Sequence, residues 1–298
     1  MSIRLPITLT RDLASWGGES AREWISSLPA LVESIASAWE LELEDPFDPG
    51  GAVSWTAPAR TRDGEDVVLK VAWPHDEARD EALGLRVWDG HGTVRLLRHD
   101  ASSWAMLLER LVPGTRLARE WSDSTVDVGV SVLQQLWSVA PGDAPFDRLE
   151  TQLAGWADTA EERAGRVRVG VDAGIVSEGI ALLRSLPRRE ESFLLHQDLH
   201  PENVLSSSRG WLAIDPKPVV GDRGFDVTAL VAHTIVDGAH LRERLARLED
   251  ALGIERDHLR RWALARTIMW LLWAADVGDD RDWRAELARM AVLLASPG

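Results

Sequence analysis

Apolar and polar positions along the chain fall into two regimes. Residues 8–43 carry a helical pattern, and Pro29 is expected to end one helix and start another. The run Asp45-Pro-Phe-Asp-Pro-Gly-Gly51 reads as a loop. Strands are then predicted over 52–57 and 66–73, separated by the turn Thr61-Arg-Asp-Gly64. A helix is predicted over about 76–89, and strands over 93–97 and 104–109, before Val112-Pro113-Gly114 closes the β-rich part. Beyond it the spacing predicts helices over about 125–138, 146–166, 175–186, 222–236, 239–252, 256–277 and 281–295. Short strands near 192–195, 204–206 and 211–215 interrupt that series. The pattern describes an α+β chain with a small β-rich lobe, a hinge near residue 110 and a larger helical lobe. It contains no internal repeat and no low-complexity linker.

Composition narrows the function. A chain of 298 residues can build two lobes with ample core. The absence of cysteine excludes disulfides, thiolate nucleophiles and Cys-ligated zinc. The first residues hold no apolar stretch fit for a signal peptide, and no segment approaches the roughly 20 apolar residues of a membrane span, so a cytoplasmic location is expected. The formal net charge of −15 argues against nucleic acid and is compatible with a cationic substrate, although an acidic surface also serves solubility alone. The residue bias says more. Of 33 basic residues only Lys70 and Lys217 are lysine, and Asn203 is the only asparagine. A guanidinium cannot replace a compact ammonium charge, nor a carboxylate a neutral amide. Where this chain does use Lys or Asn, chemistry is expected to require it.

Asn203 closes the octet HQDLHPEN, residues 196–203. His196-x-Asp198 is followed five residues later by Asn203, and Trp211-Leu-Ala-Ile-Asp215 then places an acid at a strand end. This order resembles the catalytic loop and metal-binding segment of the protein-kinase-like fold. The resemblance implies that Asp198 accepts or orients the proton of an acceptor hydroxyl, and that Asn203 and Asp215 supply hard oxygen ligands to Mg²⁺. It also implies a lysine on a central strand for the ATP phosphates. Lys70 in Val67-Val-Leu-Lys-Val71 fits. Of the acids that follow, Glu81 is preferred to Glu77 as its partner, because Glu81 shares a helix face with Leu85 and Trp88. Met106-Leu-Leu-Glu-Arg-Leu111 matches the hinge that meets adenine, with the Glu109 carbonyl and the Leu111 amide as candidates. A zinc pair from His196 and His200 competes for the octet, but Pro201 and the preceding apolar strand argue against the helix it needs. His196 is expected to brace the loop. His200 either lines the site or is structural.

The likeness extends further. The segments LLHQDLHPENVL and RGWLAIDPKPVVGDRGFDVTALV resemble the aminoglycoside and hydroxyurea phosphotransferase family, which includes streptomycin 6-kinase-like enzymes, and the actinobacterial glucosamine kinases that share this motif. The small-lobe run VVLKVAWPHDEARDEALGLRVWDGHGTVRLL and the following MLLERLVPG look like the same family, so the resemblance covers most of 50–235. It implies ATP- and Mg²⁺-dependent phosphorylation of a hydroxyl on a small, often amine-bearing molecule. Asp215-Pro-Lys217 stands where protein kinases carry D-F-G and there is no A-P-E segment, which argues against a protein substrate. Gly50-Gly-Ala-Val-Ser54 is a degenerate phosphate loop. Gln197 takes a position where many antibiotic kinases have Gly, which favours the amino-sugar kinases.

For the acceptor, candidate contacts are Gln197, His200, Asp222, Trp270, Trp273 and Asp276. The last three sit at i, i+3 and i+6, a tryptophan platform beside a carboxylate, while core packing of the tryptophans stays open. Asp226 is expected to anchor the catalytic loop. The expected organisation is an N-terminal lobe, 1–111, with a helical cap over 1–45 and an ATP-binding part over 46–111, then a helical C-terminal lobe over 112–298. The expected activity is glucosamine kinase. An aminoglycoside resistance kinase of the streptomycin 6-phosphotransferase type is the alternative, and a nucleotide-binding pseudokinase the rival from another class. No nucleic-acid or membrane partner is expected, and a monomer is.

Overall fold

The computed structural model describes residues 3–188, 190–278 and 281–296. The chain divides into two compact units, Met1–Gly114 with Ser206–Gly210, and Thr115–Leu205 with Trp211–Gly298.

In the first unit a π-helical turn, Leu9–Leu13, and α1 (Ala14–Trp16) lead into α2 (Gly18–Ala38). Pro29 does not end that helix. The stripe Ala21, Trp24, Leu28, Val32 and Ile35 stays in phase across it and is buried. An interior proline costs about 3 kcal/mol. Burying several large side chains returns roughly 1.5–3 kcal/mol each, so tertiary packing overrides the local break. The stripe covers one face of a five-stranded antiparallel sheet, against Trp55, Ala57, Leu69, Val71 and Ala105. The sheet runs β1-β2-β3-β5-β4, from β1 (Leu41–Leu43), β2 (Ser54–Thr61), β3 (Asp66–Ala72), β4 (Leu96–Asp100) and β5 (Ala105–Glu109). The helical reading of 8–43 therefore fails at its end, where Leu41–Leu43 pairs with β2. The expected helix over 76–89 divides into a 3-10 turn, Asp76–Ala78, and α3 (Glu81–Trp88), which stops at the left-handed Asp89.

After β6 (Pro113–Arg116) the second unit is mainly helical: α4 (Val126–Trp137), α5 (Leu149–Arg166) and α6 (Ala173–Ser185). Then come β7 (Phe193–Leu195), β8 (Val204–Ser207), β9 (Gly210–Ala213) and β10 (Val219–Gly221). The chain ends in α7 (Thr228–Ala232), α8 (Gly238–Leu252), α9 (Arg256–Val277) and α10 (Arg281–Ala295). α9 is the hub, with α5, α6, α7, α8 and α10 packed around it. α6 comes so close that a Cβ on Gly179 would stand 2.5 Å from Ile268 Cγ1. The helix expected over 222–236 shrinks to a 3-10 turn, Arg223–Phe225, and the five residues of α7. Asp222 caps that turn through Gly224 N–H, while its other oxygen and the Asp226 carboxylate take donors far along the chain. No helix among the described residues is long and apolar enough to cross a membrane.

Candidate active site

β7 pairs antiparallel with β10 in the register Leu195↔Val219. Its apolar run delivers the chain to His196, which is fully buried. Burial pushes this imidazole down to about 4, against the pull of the Asp198 and Asp215 charges, so it is neutral at pH 7. Its Nδ1 accepts the Asp198 N–H at 3.3 Å, and its Nε2 donates to the Ile214 carbonyl at 3.0 Å. One ring thus ties the octet to the segment that ends in Asp215. Backbone bonds complete the tie: Ile214 N–H donates to the Asn203 carbonyl at 2.9 Å, and Lys217 N–H to the His196 carbonyl at 3.0 Å. Asp198, Asn203, Asp215 and Lys217 are brought together as a result.

The Asn203 amide nitrogen donates to the Asp198 carbonyl at 3.0 Å, which leaves its side-chain oxygen directed away from that bond. Asp215 holds a left-handed backbone, φ 62°, at the turn out of β9. An amide oxygen and a carboxylate are a donor set for a hard divalent cation. Among the described residues no cluster of three His, Asp or Glu could hold a metal unaided. A cation here would complete its shell from phosphate and water, as Mg²⁺ commonly does.

Two cations flank Asp198. Lys217 Nζ is 3.4 Å from Oδ2, and an Arg266 guanidinium nitrogen is 3.5 Å from Oδ1. Burial alone would raise this carboxyl. Lys217 and Arg266, with smaller help from His200 and His196, outweigh it and hold Asp198 below the ordinary carboxylate range. Behind the loop, Asp226 Oδ2 accepts from His196 N–H at 3.0 Å and from Trp137 Nε1 at 3.1 Å, and Oδ1 from Gln197 N–H at 2.7 Å. Burial pushes Asp226 up to about 6, against those three donors. The expected anchoring of the loop by Asp226 is what the geometry has.

In the first unit Lys70 Nζ lies 2.6 and 2.8 Å from the two Glu81 oxygens, and both side chains are buried. Lys70 pairs in register with Thr56 and Met106, so it stands on the sheet face opposite α2. Glu109 ends β5; its carboxylate accepts from Arg95 N–H at 2.8 Å and from Arg209, at the tip of the β8–β9 hairpin. Leu111 follows two residues on and is half-buried. Gly51 is close-packed, since a Cβ there would meet Ser54 Oγ at 2.9 Å.

The acceptor candidates divide. His200 stays half-exposed, with Nε2 4.0 Å from Asp198 Oδ2. Gln197 turns inward: it is buried, its amide donates to Gln152 on α5, and its φ of 69° explains why glycine suits the position. Asp222 is corrected outright as an amine contact. At 1% exposure it accepts from Gly224 N–H, Arg188 N–H, His258 Nε2 and Trp262 Nε1, which leaves no open face. Asp276 is engaged by Arg163 and Arg166 at 3.2 and 3.0 Å. Trp270 and Trp273 pack edge to face at 5.6 Å, beside Trp283. Sequence reasoning missed Arg266, whose signal was an arginine directly after the apolar run Trp262-Ala-Leu-Ala265 and before Thr267-Ile268.

Comparison with known proteins gives the family and the fold. Residues 42–278 match the family described as aminoglycoside/hydroxyurea antibiotic resistance kinase. The chain is 35% identical to a streptomycin 6-kinase of Streptomyces glaucescens, covering 98% of this chain and 96% of that one. It is 32% identical to a hydroxyurea phosphotransferase of Kitasatospora aureofaciens, covering 99% and 87%. Among solved structures, the choline kinase LicA of Streptococcus pneumoniae superposes with a TM-score of 0.64 at 18% identity, over 93% of this chain and 99% of that one. LicA in complex with AMP gives a TM-score of 0.63, also at 18% identity, over 90% and 98%. That likeness is one of fold, the protein-kinase-like α+β fold with an antiparallel sheet and a helical C-terminal region. The chain belongs to the aminoglycoside/hydroxyurea antibiotic resistance kinase family, and it is an enzyme of the small-molecule kinase class.

Proposed function

We propose that the protein transfers the γ-phosphoryl group of ATP to a hydroxyl of an aminoglycoside-type acceptor, with streptomycin as the first candidate. The observation that carries the reading is the convergence of Asp198, Asn203 and Asp215 through the His196–Ile214 and Ile214–Asn203 bonds. The named relatives favour streptomycin and hydroxyurea over glucosamine, so the amino-sugar expectation becomes an arm of the test.

In this reading the acceptor oxygen attacks the γ-phosphorus and the bond to the β,γ-bridging oxygen breaks. ADP leaves, and the hydroxyl proton passes to Asp198. A carboxylate held below its ordinary range by Lys217 and Arg266 stays ionised at pH 7, free to orient that hydroxyl. It is a weak base towards an unactivated alcohol, so proton transfer follows the forming bond rather than preceding it. Lys70, set by Glu81, is assigned to the nucleotide phosphates, and Glu109 and Leu111 to adenine. Asn203 and Asp215 would hold Mg²⁺, which when bound neutralises phosphate charge. His200, Trp270 and Trp273 are kept as acceptor-side candidates.

The test is a coupled ADP-release assay with streptomycin, hydroxyurea and glucosamine side by side. Streptomycin-dependent release is expected, abolished in Asp198→Ala while nucleotide binding persists. Release with none of the three, or full turnover in Asp198→Ala, overturns the reading.

A further inference from the structure

Arg266 comes from none of the segments that carry the kinase motif. It sits on α9, flanked by the buried residues Ala263, Leu264, Ala265, Thr267 and Ile268, and its own side chain is only 13% exposed. Its guanidinium reaches Asp198 Oδ1 at 3.5 Å, while Lys217 Nζ stands 3.4 Å from Oδ2. The two oxygens of one carboxylate therefore face different cations. They differ in kind too. Lys217 is a point charge on a flexible stem. Arg266 lies over the Phe225 ring, 4.6 Å from its centroid. That ring is fully buried and is gripped edge to face by Trp262, one turn earlier on α9, at 5.3 Å. The guanidinium plane is thus fixed by a helix and a ring before it meets the carboxylate.

We propose that Arg266 is a positioning residue for phosphoryl transfer. It pins Asp198 Oδ1, so that Oδ2 is the oxygen presented to the acceptor hydroxyl. This rests on the role given to Asp198 above. In the transfer step Arg266 exchanges no atom: the acceptor oxygen bonds to phosphorus, the bridging oxygen leaves with its electron pair, and the proton goes to Oδ2. Arg266 removes the rotation that would otherwise let Asp198 offer either oxygen in many directions. An acceptor held in place by its own contacts needs that fixed direction, because small misplacements of a reacting pair are costly. Water is small and can follow a wandering carboxylate. Loosening Asp198 therefore costs transfer to the acceptor more than transfer to water.

The experiment compares Arg266→Gln and Arg266→Lys with the unmodified protein. It uses whichever of streptomycin, hydroxyurea and glucosamine the unmodified protein turns over fastest. ADP release and phosphorylated acceptor, the latter by mass spectrometry, are both measured, so each variant yields a ratio of transfer to hydrolysis. Arg266→Gln is expected to lower kcat for the acceptor by about 10–100-fold, leave the ATP KM within about 2-fold, and shift the ratio towards hydrolysis. Arg266→Lys is expected to recover part of kcat and of the ratio. Should Arg266→Gln fail to fold, the ratio in Arg266→Lys carries the test. A merely structural arginine lowers transfer and hydrolysis together, so an unchanged ratio overturns the inference. Asp198→Ala is run beside them. If it keeps turnover, or if the unmodified protein uses none of the three acceptors, the reading of the site falls and the inference with it. If Asp198→Ala is inactive but the arginine variants keep the original ratio, the inference alone falls.

Discussion

Replacing Asp226 by asparagine separates what holds the catalytic loop from what holds the fold. The carboxylate takes two donors on Oδ2 and one, Gln197 N–H at 2.7 Å, on Oδ1. An asparagine can keep its oxygen towards the pair, His196 N–H and Trp137 Nε1. Its amide then faces the Gln197 N–H, donor against donor. Each buried group left unsatisfied costs about 1–3 kcal/mol, and two are created. Against this, the native carboxylate is ionised at pH 7 although burial pushes it up to about 6. Relative to an ordinary value of 3.8, that corresponds to roughly 3 kcal/mol of unfavourable charge burial, which the amide removes. The two terms nearly offset each other, so Asp226→Asn is expected to lose no more than about 3 kcal/mol of stability. Activity has no such compensation. Gln197 precedes Asp198 directly, and a loop displaced by about 1 Å at the reacting group can lose about 100-fold in rate. Urea midpoints and ADP release, measured on the same preparation, give both numbers. A variant with unchanged turnover would refute the claim that this carboxylate positions the loop, and so would an activity loss fully explained by an unfolded fraction.

Two further predictions concern buried titratable groups. Glu81→Gln leaves the Lys70 ammonium without its buried carboxylate, and loss of one partner of such a pair typically costs about 3–5 kcal/mol. A lowered urea midpoint with a raised ATP KM is expected, and an unchanged midpoint would contradict the burial of the pair. His196 sets an acid sensitivity. The unfolded chain takes its proton near 6.5 but the folded chain only near 4, so its stability contribution is complete above 6.5 and is lost as pH falls towards 4, by roughly 3 kcal/mol in all. Asp226, raised to about 6, acts in the opposite sense over part of that interval, so the His196 effect is read as the difference between the unmodified protein and His196→Gln. A difference that stays constant from pH 7 to 4 would sink the assignment.

What the sequence disclosed depends on how local the cause was. Lys70 and Glu81 were legible because a strand register and one helix face are enough to point them at one another. The order Asp198, Asn203, Asp215 was legible because its spacing is carried by one loop and one hairpin. Pro29 misled because its local cost is visible in sequence, whereas the sheet face that α2 covers is not. The helix expected over 222–236 failed for a related reason. Asp222 and Asp226 look like helix-starting acids, but their oxygens serve His258, Trp262, His196 and Gln197, which lie 29 to 40 residues away along the chain. Gln197 was drawn to the acceptor by its neighbours in the octet. Its left-handed backbone turns the side chain inward to Gln152. Arg266 was invisible to motif reasoning because it reaches Asp198 from 68 residues further along the chain.

The scarcity of lysine has a consequence for chemical labelling. Lys70 is closed off by its ion pair at 7% side-chain exposure, while Lys217 stands at 28%. To an amine-directed reagent the folded chain therefore offers, besides its α-amine, a single lysine, and that lysine lies 3.4 Å from Asp198. A protein of 298 residues thus comes with a built-in attachment point at its candidate active site. The extent of acylation at Lys217 reports on whether that site is open or covered, with no cysteine to introduce and no competing side-chain amine to subtract.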